Sequence, residues 1–294
     1  MVNLRVIPPT AYIGAVEAIP LVSAAIEQLS AKDSIYPVDQ DLYFKVHEDA
    51  HFGTRSHLSQ DEMLTIFSER GGDPGRSGKK DPLDCLVWMS QRPNEPGWES
   101  SIGLGRPGWH IECTAIALKY LDPSDLDSTL IDIQGGGSDL IFPHHEMCAA
   151  QAHVLTGKEL AASYVHTGMI GLDGEKMSKS LGNLVFVSKL RQHGVDPMAI
   201  RLVLLSHHYR SDWEWFDSEL EDAQTRLANW RTALSYPTGA TSPVAEIVMV
   251  MRNDLDTPSA LKAIDVWAAE TLAGAQLDAT SEVAVAIDAI LGII

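Results

Sequence analysis

Three short segments carry residue types whose spacing suits chemistry on phosphates and thiols. Residues 171 to 183, Gly171-Leu172-Asp173-Gly174-Glu175-Lys176-Met177-Ser178-Lys179-Ser180-Leu181-Gly182-Asn183, deliver two lysines and two serine hydroxyls on a glycine-bounded hairpin. Ammonium groups and loop N–H donors of this kind stabilise charge developing on a departing pyrophosphate, and they count most in the transition state. A bare lysine-serine run is usually solvated surface, but this one follows a strand signal, His166-Thr167-Gly168-Met169-Ile170. The second segment is Gln134-Gly135-Gly136-Gly137-Ser138-Asp139, placed straight after an apolar run. Its glycines let a flat ligand approach the backbone closely, at the strand end where open α/β sheets bind ligands. Taken alone, the glycine run reads better as a flexible turn. The third, Gly105-Arg106-Pro107-Gly108-Trp109-His110-Ile111-Glu112-Cys113, places an indole and a thiol one helical turn apart on the same side. Cys113 and His144 are both zinc-compatible donors. Cys148 follows His144 by four residues, so on a helix the two share a face. Two readings of Cys148 stay open, a third metal ligand or a small buried hydrophobe.

The elements that must hold these segments are visible in the periodicity. Val16, Ile19, Val22, Ala25, Ile26 and Leu29 repeat at helical spacing, and 34 to 46 alternates around Asp39-Gln40-Asp41 as a hairpin. A helix near Glu62 to Glu69 precedes a polar stretch, Gly71 to Pro107, that reads as loop with one buried run at Pro82 to Trp88. From Trp109 the order is helix (Ile111 to Leu121), strand (Leu130 to Gln134), glycine turn, helix (His144 to Leu155), strand (Ser163 to Ile170). That alternation is half of a parallel doubly wound sheet. Beyond Pro197 strand signals vanish, and Leu220 to Leu234, Val244 to Leu255, Ser259 to Leu272 and Ser281 to Ile293 are helical, with Asp217 or Ser218 and Thr257 as caps. The expected division is a catalytic domain over 1–195, with an inserted segment at about 32–107, and a helical domain over 196–294. No internal repeat or low-complexity tract is visible.

Composition narrows the class. With 294 residues, 45% of them hydrophobic, the chain can bury a real core. Forty acidic against 22 basic residues give a net charge of −18, a field that repels polyphosphate backbones and makes bulk tRNA an unlikely partner. No run approaches a membrane span and the N-terminus lacks a basic-then-apolar leader, so a cytoplasmic protein is expected. Cys85, Cys113 and Cys148 are an odd number in a long chain, as expected of free thiols or metal ligands in a reducing compartment.

The 171–183 string resembles the KMSKS signature of class I aminoacyl-tRNA synthetases, and the triglycine segment with Leu140-Ile141-Phe142-Pro143-His144-His145-Glu146 resembles the cysteine-activating group among them. That resemblance implies an α/β fold, a partial class I Rossmann-like parallel sheet with a C-terminal helical bundle. It implies ATP with Mg2+ and L-cysteine as reactants. Lys176, Ser178, Lys179 and Ser180 would then act on the leaving pyrophosphate, while Trp109, Gly137, Ser138, Asp139 and Ile170, with Lys179, would line the adenylate pocket. One Zn2+ would be held by Cys113 and His144, with the place of Cys148 still open.

Within the family, Glu69-Arg70-Gly71-Gly72-Asp73-Pro74 before Lys79-Lys80-Asp81-Pro82-Leu83, Cys148 where the synthetases carry a glutamate, and the short acidic C-terminus resemble a branch that passes cysteine to the amine of glucosaminyl-inositol in mycothiol biosynthesis. A monomer is expected. Family members begin with a strand and a HIGH-type segment preceded by a further zinc-binding cysteine, which this sequence does not contain. The expectation is therefore a chain that starts inside the catalytic domain, with its own activity an open question. A cysteinyl-tRNA synthetase fragment and a non-catalytic remnant are the alternatives.

Overall fold

The computed structural model describes residues 1–121, 129–178 and 181–294. These fall into two compact units, Thr10–His166 and a second made of Met1–Pro9 with Thr167–Ile294. No helix among the described residues is long and apolar enough to cross a membrane.

In the first unit, α1 (Ile19–Ala31) begins with proline in its first turn, where a missing N–H costs nothing, and buries Ile19, Val22, Ala25, Ile26 and Leu29 along one face. Strands β1 (Ile35–Val38) and β2 (Asp41–Phe44) form the expected hairpin, with Ile35 opposite Phe44 and Val38 opposite Asp41. Asp39 takes the left-handed conformation that the tight turn requires. Helix α2 (Gln60–Glu69) is fixed at its start by a capping box between Ser59 and Glu62. Strands β3 (Cys85–Ser90) and β4 (Gly105–Pro107) complete an antiparallel sheet in the order β1-β2-β3-β4.

The stretch between α2 and β3 is less loose than its composition predicts, because two buried carboxylates pin it. Asp41 accepts from Arg76 and Arg92 at 2.7 Å each and from the Ser90 amide at 3.0 Å. Asp84 accepts from the Tyr36 hydroxyl at 2.6 Å and from the Val46 and Asp81 amides at 3.0 Å.

Helix α3 (Trp109–Tyr120) follows β4 directly, and α4 (Glu146–Thr156) lies in sequence between β5 (Thr129–Gly137) and β6 (Glu159–Thr167), which pair in one sheet. Val22, Ile26, Leu29, Phe44, Val87, Ile111 and Met147 form the dry centre of this unit.

In the second unit β7 (Ile170–Leu172) pairs antiparallel with β8 (Glu175–Lys176) through an Asp173-Gly174 turn with both residues at positive φ. The single strand expected over Ser163 to Ile170 is two strands, β6 and β7. At Gly168 an added Cβ would stand 2.1 Å from the Ser211 carbonyl oxygen, so a close backbone crossing interrupts the strand there. Helices α5 (Val187–Gln192) and α6 (Pro197–Leu205) precede the short β9 (Trp213–Glu214), which pairs in parallel with β7.

Helix α7 (Asp217–Leu234) buries Leu220, Ala223, Leu227 and Trp230 at three- and four-residue steps. Then come β10 (Thr238–Gly239), α8 (Val244–Met251), α9 (Thr257–Leu272), β11 (Asp278–Ala279) and α10 (Thr280–Ala286). The helical bundle is as expected, but β9 and the β10–β11 pair show that strand structure continues past Pro197. Two caps also differ. Phe216 precedes α7, and Asp256 rather than Thr257 caps α9, accepting from the Ser259 amide at 3.1 Å. Inside the bundle Asp265 takes both the Trp230 indole N–H and the Arg226 guanidinium at 2.8 Å.

Candidate functional site

The start of α3 is set by Gly108. A Cβ there would lie 1.9 Å from the Leu86 carbonyl oxygen, so only glycine lets the helix begin hard against β3. The first two side chains of α3 are Trp109 and His110. His110 is buried and faces His144, their Nδ1 atoms 3.1 Å apart. The Trp109 ring, half exposed, stacks on His144 with centroids 4.3 Å apart and planes at 24°.

Four residues after His144, on α4, the Cys148 thiol lies 3.8 Å from His144 Nε2 and donates to the His110 carbonyl at 3.4 Å. His110, His144 and Cys148 thus form a buried group in which one donor atom from each lies within 4.8 Å of the others. Two imidazoles and a thiol are a donor set that fits zinc. Tetrahedral zinc–nitrogen bonds near 2.0 Å put neighbouring nitrogens about 3.3 Å apart, close to the 3.1 Å between the two Nδ1 atoms.

Burial sets the charge state here. It pushes His110 down to about 3, helped by His144, and His144 down to about 4, so both rings are neutral with a lone pair to give. Burial pushes the Cys148 thiol far up and the Cys113 thiol up to about 11.

Cys113, three residues after His110 on α3, is outside this group of three. It is half buried and packs on the small cluster that contains Cys148, Leu130 and Leu160. The spacing argument singled out Cys113 and passed over His110. The signal that finds His110 is its i, i+3 relation to Cys113, which puts both on one side of α3.

Gly137, Ser138 and Asp139 stand where β5 runs into a 3-10 turn, Ser138–Leu140. Gly136 allows close packing, since a Cβ would lie 2.8 Å from Leu140 and 3.0 Å from the His145 ring. His145 in turn bonds His166 at 2.8 Å, and burial pushes it down to about 4. Arg70 donates to the carbonyls of both Asp139 and Phe142, tying the glycine segment to the end of α2.

In the other unit, Ile170 opens β7 and Lys176 closes β8. Met177 packs on the helical core. The loop after it closes on itself: Asn183 accepts from the Ser178 amide at 2.8 Å and donates to the Lys176 carbonyl at 3.3 Å, and Ser178 accepts from the Leu181 amide. Lys179 and Ser180 lie outside the described residues.

A second donor group, Asp49, His51 and His153, lies in the Thr10–His166 unit. His153 meets Asp49 at 2.7 Å and His51 meets Glu159 at 2.7 Å, with the two imidazoles stacked 5.2 Å apart. Arg55 bonds Asp49 and Glu159 at 2.8 Å and reaches the buried Glu146 at 3.3 Å.

Residues 1–225 match the family model described as tRNA synthetases class I (C) catalytic domain. The chain is 57% identical over 296 residues to the L-cysteine:1D-myo-inositol 2-amino-2-deoxy-alpha-D-glucopyranoside ligase of Kribbella flavida and 54% identical over 299 residues to that of Thermomonospora curvata. Each match spans 100% of this chain and 71% of the relative. Among solved structures, the Mycobacterium tuberculosis methionyl-tRNA synthetase in complex with methionyl-adenylate matches with a TM-score of 0.58 at 18% identity. That match covers 91% of this chain and 66% of the other, and it speaks for the fold alone. With the model covering the α/β part and much of the first bundle helix, and relatives more than half identical from end to end, the chain belongs to the class I synthetase family, in the branch of these cysteine ligases.

Proposed function

We propose that the chain serves an ATP-dependent ligase that activates L-cysteine and passes it to the amine of glucosaminyl-inositol, a step of mycothiol biosynthesis in the cytoplasm. The observation that carries this reading is the buried His110, His144 and Cys148 group under the Trp109 ring, in a chain more than half identical to ligases named for that reaction. In the first step a carboxylate oxygen of cysteine attacks the α-phosphorus of ATP, taken as its magnesium complex, and pyrophosphate leaves. In the second the sugar amine attacks the activated carbonyl carbon, AMP leaves with its bonding electrons, and the amine sheds a proton as the amide forms.

The chain's own residues would orient, hold and screen. Trp109, Gly137, Ser138 and Asp139 would line the adenylate site, the glycine through its backbone. Lys176 and Lys179, with the Ser178 and Ser180 hydroxyls, would neutralise charge on the departing pyrophosphate. His110, His144 and Cys148 would hold zinc and leave a fourth position for the substrate thiolate, with Cys113 as a neighbouring thiol outside the group of three. A zinc ion held there would bind a thiolate well and a serine hydroxyl poorly, which would tell cysteine from serine without editing.

The test is pyrophosphate exchange and amide formation by the purified protein. Exchange that depends on cysteine and not on serine, followed by transfer to glucosaminyl-inositol with release of AMP, is the expected result. Transfer to tRNA with none to the aminosugar overturns the reading.

A further inference from the structure

Apart from Arg70, the segment Glu69 to Pro74 has no part in the roles assigned so far, yet its backbone is tightly constrained. Gly71 sits at φ +86°, and a Cβ on Gly72 would come within 2.5 Å of the Phe67 ring, itself buried. The two glycines lay the chain flat on that ring and turn Asp73 toward Tyr43 and Lys79. The Tyr43 hydroxyl donates to one carboxylate oxygen of Asp73, and the Lys79 ammonium donates to the other at 3.0 Å. Arg76, anchored on buried Asp41, donates to the Tyr43 hydroxyl at 2.7 Å. Asp73 is thereby held in one orientation while its side chain keeps 39% of its surface open.

That open surface forms part of the wall of a cavity of about 310 Å3. Phe67 and Met89 contribute apolar surface to its lining, Arg70 and Arg76 contribute guanidinium groups, and Trp109 and His110 form the part shared with the metal-ligand group. A carboxylate has four lone-pair positions, and Tyr43 and Lys79 occupy two of them. Apolar surface beneath a fixed acceptor is how a protein grips a hydroxylated ring, through its C–H face and its O–H edge.

We propose that this cavity is the acceptor subsite and that Asp73 sets acceptor specificity by accepting hydrogen bonds from the hydroxyls of an aminosugar. This rests on the proposed function, because a molecule in the cavity stands beside Trp109 and His110, where the cysteine would be held. The reacting amine is not the group that Asp73 binds, since a carboxylate would keep it protonated and unable to attack.

The test separates acceptor from cysteine. In amide formation, Asp73→Asn should raise KM for glucosaminyl-inositol by about tenfold or more, because a bound hydroxyl loses its charged acceptor. KM for cysteine in pyrophosphate exchange should move by less than about twofold. Met89→Trp, which fills the cavity and leaves Asp73 and its partners in place, should do the same, with thermal melts confirming that both variants fold. An unchanged acceptor KM in both variants, or a raised cysteine KM in exchange, overturns the proposal. If the unaltered protein shows neither exchange nor amide formation, the proposed function fails first. Calorimetric binding of glucosaminyl-inositol, present in the unaltered protein and lost in Met89→Trp, then decides the cavity separately.

Discussion

Two histidine pairs in the Thr10–His166 unit each lie within ligand distance of a third donor, and they are built in opposite ways. His110, His144 and Cys148 are buried and meet one another, the Trp109 and His145 rings, Thr114 and a backbone carbonyl, with no ion pair to any of the three among the described residues. In the other group His51 is exposed, and Asp49 and its neighbours Glu146 and Glu159 are already engaged by Arg55. A dication arriving there would face a guanidinium that cannot give up its charge. Nearness of donors is therefore only half of a metal site. The other half is whether the protein has supplied its own cation, and at Asp49 it has.

The largest effect expected is on catalysis. His144→Ala should lower cysteine-dependent pyrophosphate exchange by more than about 100-fold, beyond what loss of an outer partner costs, whereas His153→Ala should leave the rate within about twofold. Equal losses in both would erase the distinction between the groups. Next is stability. Arg55→Ala strands the buried carboxylates of Asp49 and Glu146 and should cost about 3 kcal/mol in denaturant unfolding. Zinc content should not change.

A smaller effect should follow pH. Burial pushes the Asp49 carboxyl up, but the His51 amide, Arg55 and His153 outweigh it and hold it below the usual carboxylate range; Glu159 is likewise lowered against its burial, by Arg55 and His51. Between the unfolded value near 4 and the lower folded value the unfolded chain binds more protons. Stability is thus full above about pH 4 and falls as pH drops through the folded values, and Arg55→Ala should flatten that fall in thermal melts. The smallest effect is that of His153→Ala on stability, about 1.5 kcal/mol for one charge-assisted hydrogen bond, read from the same unfolding curves.

What the sequence makes legible is local. The Asp39 hairpin, the capped α2, the Asp173-Gly174 turn and the amphipathic face of α7 follow from neighbours a few residues apart, and so does the pairing of His144, just before α4, with Cys148 on it. What it hides depends on partners far along the chain. The Gly71 to Pro82 stretch reads as loop because Asp41 lies 35 residues before Arg76, and Asp84 lies 48 after the Tyr36 that binds it. The break at Gly168 is set by a carbonyl 43 residues on, at Ser211. His110 escapes notice because its significance comes from His144, 34 residues away on another element. Two of the three donors of the candidate metal centre are thus readable from their i, i+4 spacing, and the third, His110 on α3, is not.

Metal analysis of purified protein and two single variants tests the central claim most directly. The account predicts near-stoichiometric zinc in the unaltered protein, its loss in Cys148→Ser, and its full retention in His51→Ala. Zinc retained in Cys148→Ser, or lost in His51→Ala, would contradict the assignment of the buried group as the metal centre.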